Sequence, residues 1–197
     1  MFTIIPCAAG CGQPATTGSA LCADHCADKN AESARIACLI AQSQETRNLS
    51  AGRLAFENVD FSGRSFFGSS FFRSSFRNCT FSRCLFRTVF FDFALLDNCD
   101  FRESNIEFSS FGGVTARNCL FSGSELTHLN FTGANIADCD FSQSNLYNSR
   151  FIAVQMHNVL MVDCNVKKVF FVKTDTSEVN FKASNSREAV FELEESI

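Results

Sequence analysis

The sequence has no tryptophan and one tyrosine among 197 residues. It also lacks any apolar run near the ~18 residues of a membrane-crossing helix, which excludes a helical anchor. Neither sign of charge dominates: 17 basic residues face 21 acidic ones, for a net charge of -4. That balance excludes both a broad nucleic-acid-binding footprint and an extreme polyanion. Histidine is scarce, with three copies. No glycine-rich phosphate loop, Ser-His-Asp arrangement or His-Glu-x-x-His motif occurs, so no enzyme and no small-molecule substrate are expected. The opening MFTIIPC has neither the basic start nor the long apolar stretch of an export signal. The chain is therefore expected in the cytoplasm, where its eleven cysteines, an odd number, remain thiols or hold a metal.

What is abundant is phenylalanine, with 24 copies, and its spacing is regular. From Phe56, every fifth residue to Phe191 is large and apolar with few exceptions, and the phase never slips. Five suits neither a helix, which advances about 100° per residue, nor a strand, whose faces alternate. It suits a pentapeptide that forms one short extended side and a corner, with its middle residue turned inward. Two places before each inward residue the chain is mostly small, as at Ser69, Ser74, Cys79, Cys84 and Ala94. One large and one small residue per side is what a narrow packed interior needs.

A longer beat sets the number of sides. Cys79, Cys99, Cys119 and Cys139 lie twenty apart, as do Asn58, Asn78, Asn98 and Asn118, and one inward column is Phe at 71, 91, 111, 131, 151, 171 and 191. Four pentapeptides per turn make a square coil. Units such as TGANI (132–136), ADCDF (137–141) and SQSNL (142–146) resemble the pentapeptide-repeat family. The resemblance implies an all-β fold, a right-handed quadrilateral β-helix of about seven coils. The cysteine column inside it reads as small hydrophobic filling rather than a metal or redox site.

Some members of that family are DNA mimics that protect gyrase, a type II topoisomerase, from quinolones, which requires a continuous acidic surface. Residues 91–147 do carry eight acids against two bases, but 51–90 has six Arg against two acids. Outward hydrophobics give a more direct clue. Phe67, Phe72, Phe90 and Phe93 cluster at one end near the all-Phe side, and Ile152, Phe170, Val172 and Val190 at the other. Such patches mark contacts. The first is expected to be covered by the chain's own N-terminal segment, and the second to serve a homodimer, end to end through the C-terminal end or side by side.

The N-terminal stretch CAAGCGQPATTGSALCADHC places Cys7, Cys11, Cys22, His25 and Cys26 at spacings that suit tetrahedral zinc. It is similar to a small knuckle of three cysteines and one histidine found beside nuclease and recombinase domains. That resemblance implies Cys7, Cys11, Cys22 and His25 as ligands of a structural Zn2+, with Cys26 as the alternative fourth. The acidic ADKNAESA follows where those knuckles carry a basic tail, which weakens a nucleic-acid role. Residues 30–45 read as a helix with Asn30 as N-cap and an apolar stripe of Ile36, Leu39 and Ile40. An open β-helix end must be covered, so knuckle and helix together read as the cap. The organisation expected is a zinc-knuckle-like segment at 1–27, capping helix and junction at 28–55, β-helix at 56–191 and a tail at 192–197. A protein-binding scaffold is the leading functional expectation. The alternatives are gyrase protection and nucleic-acid binding through the knuckle.

Overall fold

The computed structural model describes residues 4–192. From residue 45 onward the chain winds in twenty-residue turns. The strand Glu45–Arg47 pairs in parallel with Ser65–Phe67, which pairs with Leu85–Arg87, then Asn105–Glu107 and Glu125–Thr127. A second side stacks Ala55–Glu57, Ser75–Arg77, Leu95–Asp97, Thr115–Arg117, Asn135–Ala137 and Gln155–His157. The two sides between them join through single bridges, and one bridge column climbs from Ser50 to Val190 in seven twenty-residue steps. At ~4.8 Å per step the rod is about 34 Å long.

The interior is the phenylalanine stack that the period predicts. Phe71, Phe91 and Phe111 lie ring over ring at 5.1 and 4.9 Å. Phe81, Phe101, Phe121 and Phe141 form a second column at 4.7, 4.9 and 4.7 Å. Rings of adjacent columns meet edge to face, as Phe91 and Phe101 do at 6.1 Å, an arrangement that the ring quadrupole favours.

The small residues do more than fill space. Ser104 Oγ donates to the Phe81 carbonyl at 2.8 Å and accepts the Cys84 amide at 3.1 Å. Ser74, Ser124, Ser144 and Ser149 donate in the same way to the carbonyl twenty-three residues earlier. The cysteines repeat the pattern weakly, Cys84 Sγ reaching the Phe61 carbonyl at 3.1 Å. Burial pushes the Cys84 thiol up to about 12 and Cys79 to about 11, so these sulfurs are inert. The asparagine column occupies corners with φ near 50°, at Asn58, Asn78, Asn98, Asn118 and Asn158, which Asn tolerates better than most residues. Their amides also form a ladder, Asn78 to Asn58 at 3.1 Å and Asn98 to Asn78 at 2.8 Å.

Three boundaries differ from the sequence reading. The first coil begins at Glu45 rather than Phe56, because Thr46 and Ala51 are inward and buried without being large; the expected junction is itself coil. The helix is Lys29–Ala41, capped by the Asp28 carboxylate rather than Asn30; Asp28 accepts the amides of Asn30 and Ala31 at 2.8 and 3.1 Å. The expected tail, from residue 193 on, lies outside the described residues. Among the described residues no helix is long and apolar enough to cross a membrane.

Candidate metal centre and contact surface

The N-terminal segment folds back on itself as a short hairpin. Ala15 N–H donates to the Ile5 carbonyl at 2.8 Å, Cys7 N–H donates to the Gln13 carbonyl at 2.9 Å, and the turn uses Gly10 and Gly12 at φ +71° and +76°. The loop returns through Cys22, where the amides of His25 and Cys26 both donate to the Cys22 carbonyl at 3.0 Å. This brings Cys7, Cys11, Cys22 and His25 together, their ligand atoms all within 4.8 Å of one another.

The separations suit one ion. Zinc with sulfur at about 2.3 Å and nitrogen at about 2.0–2.1 Å sets tetrahedral S···S edges of about 3.8 Å and S···N edges of about 3.6 Å. Cys11 Sγ and Cys22 Sγ are 3.7 Å apart. His25 Nδ1 lies 3.7 Å from Cys7 Sγ and 3.3 Å from Cys22 Sγ. The Cys22 amide donates to Cys7 Sγ at 3.4 Å and, as the largest influence, holds that thiol down to about 6. Cys26 stays outside the cluster, its thiol donating to the Ala23 carbonyl at 3.3 Å. One residue beyond His25 in a helical turn, its side chain is rotated away.

The loop between Cys11 and Cys22 also seals the solenoid. Thr17 N–H donates to the Ser50 carbonyl at 2.9 Å, and Thr17 Oγ1 accepts the Ser50 amide at 2.7 Å. Both polar groups that the first coil presents at this point are thereby satisfied. Ser33 Oγ accepts the Ala55 amide at 3.3 Å, Arg53 pairs with Asp24 at 2.8 Å, and Ile36 and Ile40 plug the open interior. Leu39 packs partly buried against the same core.

The first outward patch borders an open groove of about 630 Å³, floored by Leu49, Phe72, Phe90 and Phe93 and walled by Ile4 and Pro14. Phe90 and Phe93 are 36% and 55% exposed, with Ile4 and Pro14 of the N-terminal segment beside them. Arg73 lies over the Phe72 and Phe93 rings at 5.2 and 5.8 Å. Phe67 stands apart, under Arg47 at 4.4 Å. At the other end Ile152, Phe170 and Val190 are half-buried and Val172 is 7% exposed. The sequence reading missed Phe108, which is 56% exposed and stacks on His128 at 4.7 Å. Following its twenty-residue column would have found that pair.

Residues 124–163 match the family model described as pentapeptide repeats, in eight copies. No curated protein matches the chain. Among solved structures, HetL of the cyanobacterium Nostoc, a pentapeptide repeat protein involved in heterocyst differentiation regulation, is 10% identical, covering 79% of this chain and 92% of its own, with a TM-score of 0.36. QnrB1, a plasmid-mediated fluoroquinolone resistance protein, is 16% identical over 71% of this chain and 81% of its own, TM-score 0.42. A pentapeptide repeat protein of the Arabidopsis thaliana thylakoid lumen is 18% identical over 68% and 70%, TM-score 0.28.

Proposed function

We propose that this pentapeptide-repeat solenoid is a non-enzymatic cytoplasmic scaffold that binds a protein partner on its groove-bearing side, with a structural zinc ion holding its N-terminal cap. The observation that carries the reading is the aromatic groove. Partly exposed rings are held on a rigid frame and neighboured by a guanidinium, the composition of an interface core. Capture by cross-linking and mass spectrometry, repeated with a Phe72→Asp/Phe93→Asp double variant, tests it. Loss of the cross-linked partner with the fold retained supports the groove; unchanged capture removes it.

Four protein ligands leave zinc no open position, which suits a structural rather than a catalytic role. The bound metal would supply a fixed crosslink between Cys7, Cys11, Cys22 and His25. The loop carrying Thr17 runs between two of those ligands, so the same crosslink would hold the seal over Ser50.

Gyrase protection is less well supported by the charges. Of the eight acids in 91–147, Asp97 pairs with Arg77, Asp100 with Arg102 and Glu107 with Arg87, which breaks the continuity that a DNA mimic needs. Supercoiling by gyrase in the presence of quinolone should be unchanged by the protein; rescue would favour the mimic. A salt-dependent DNA mobility shift would instead favour nucleic-acid binding through the knuckle.

A further inference from the structure

The all-Phe side differs from an ordinary solvated face. Its outward positions from Ser50 to Val190 are Ser, Gly, Phe, Asn, Thr, Ile and Val, broken by only two charges, Asp92 and Arg150. Among the described residues neither belongs to an ion pair; the Asp92 carboxylate accepts Ser110 Oγ at 2.5 Å. The two lie three coils apart, about 14 Å, too far to meet within one copy. The aromatic groove occupies the first three levels of this side, and the half-buried apolar Ile152, Phe170 and Val190 its last three.

We infer that the partner on this side is a second copy of the chain, packed antiparallel, so that the groove end of each rod covers the apolar C-terminal end of the other. Both ends and both charges are then used by one symmetry operation. A two-fold axis between the levels of Ser110 and Asn130 sets the Phe90 level against the Arg150 level. Arg150 then lies beside Asp92, and by symmetry this happens twice. Ser70 meets Phe170, with Phe72 beside it. At the axis itself stand Ser110, Gly112, Asn130 and Thr132, small enough for close approach. A two-fold contact of this kind closes at a dimer, without propagating.

Size and charge set the expected strength. A strip about 34 Å long and about 13 Å wide gives on the order of 450 Å² per copy, about 900 Å² for the pair, near the ~1,000 Å² threshold of specific interfaces. The dimer should therefore be a micromolar one. One rim pair opposes it: Arg73 of one copy would face Lys173 of the other at the corner.

The inference deepens the scaffold reading by naming the occupant of its groove. Sedimentation of the full metal-loaded chain up to hundreds of micromolar at physiological salt tests it, with X-ray scattering for shape. The expected result is a monomer–dimer equilibrium in which the dimer is scarcely longer than the monomer. Arg150→Glu and Asp92→Arg should each weaken it about tenfold, and the double exchange should recover most of the loss. Lys173→Glu should tighten it. Thermal melts check that each variant folds, and the Lys173→Glu and scattering arms stand even if the Asp92 variant does not. Monomer throughout, an end-to-end particle of doubled length, or no recovery in the double exchange would overturn the inference. A monomer that still captures a cross-linked partner through Phe72 and Phe93 would leave the scaffold reading intact.

Discussion

Replacing Phe101 by Ala probes the packed columns directly. Its ring is fully buried between Phe81 at 4.7 Å and Phe121 at 4.9 Å, with Phe91 and Phe111 edge-on at 6.1 and 6.3 Å. Removing a buried Phe costs about 3–5 kcal/mol in transfer and cavity terms, and each ring pair lost adds about 0.5–1.5 kcal/mol. Relaxation offers little relief, because every neighbouring ring is tied to its own coil at fixed spacing; Phe101 N–H itself donates to the Leu120 carbonyl at 2.7 Å. The cost should therefore fall at or above about 4 kcal/mol. At about 2–4 °C per kcal/mol this lowers Tm by roughly 8–16 °C. Denaturant titration and thermal melts measure both quantities. Phe93→Ala, at the exposed corner over Gly113, is the control and should cost less than about 1 kcal/mol. Equal effects of the two substitutions, or a cost below about 1 kcal/mol for Phe101→Ala, would refute the picture of a rigid stacked interior.

Chelation, or Cys22→Ala, should remove one equivalent of zinc, lower Tm and speed hydrogen exchange at the Ser50 amide; Cys26→Ser should retain the metal, as read by the charge-transfer bands of the cobalt-substituted protein. Glu32 hydrogen-bonds Arg35 and Thr16, and the Arg35 guanidinium, as the leading influence, lowers its pKa from 4.5. Its contribution is thus fully present above the unfolded pKa and is lost as pH falls through the lower folded value. Glu32→Gln should flatten the acid limb of cap stability measured by peptic cleavage of the N-terminal segment. Ser104→Ala leaves the buried Cys84 amide only its longer bond to the Phe81 carbonyl, at 3.3 Å, and should cost about 0.5–1.5 kcal/mol, with Ser104→Cys costing less; denaturant midpoints decide between them.

The beat of five grouped in fours was enough to place the square coil and its phenylalanine columns, because large inward residues are the loudest signal a sequence carries. The start was harder to read: Thr46 and Ala51 turn inward without being large, and only pairing with Ser65–Phe67 reveals them. The small columns could be seen as small, but their role in stitching coil to coil depends on donors and acceptors twenty-three residues apart. At the candidate metal site, spacing alone fitted either His25 or Cys26. The choice follows from the helical turn that leads into the Asp28 cap and swings Cys26 toward Ala23. The groove was legible as a patch, yet that Pro14 and Ile4 would stand beside it depends on the path of the hairpin.

Because nearly every backbone bond beyond residue 45 reaches one coil along, length in this molecule comes in quanta. Excising 91–110 would shorten the rod by one storey and still bring like onto like, Phe71 beneath Phe111 and Cys79 beneath Cys119. Excising only five residues would turn everything downstream by a quarter revolution, splitting Arg87 from Glu107 and carrying the upper half of each outer surface around a corner. Such a molecule behaves as a threaded gauge: what it presents along one side is kept aligned only by whole turns.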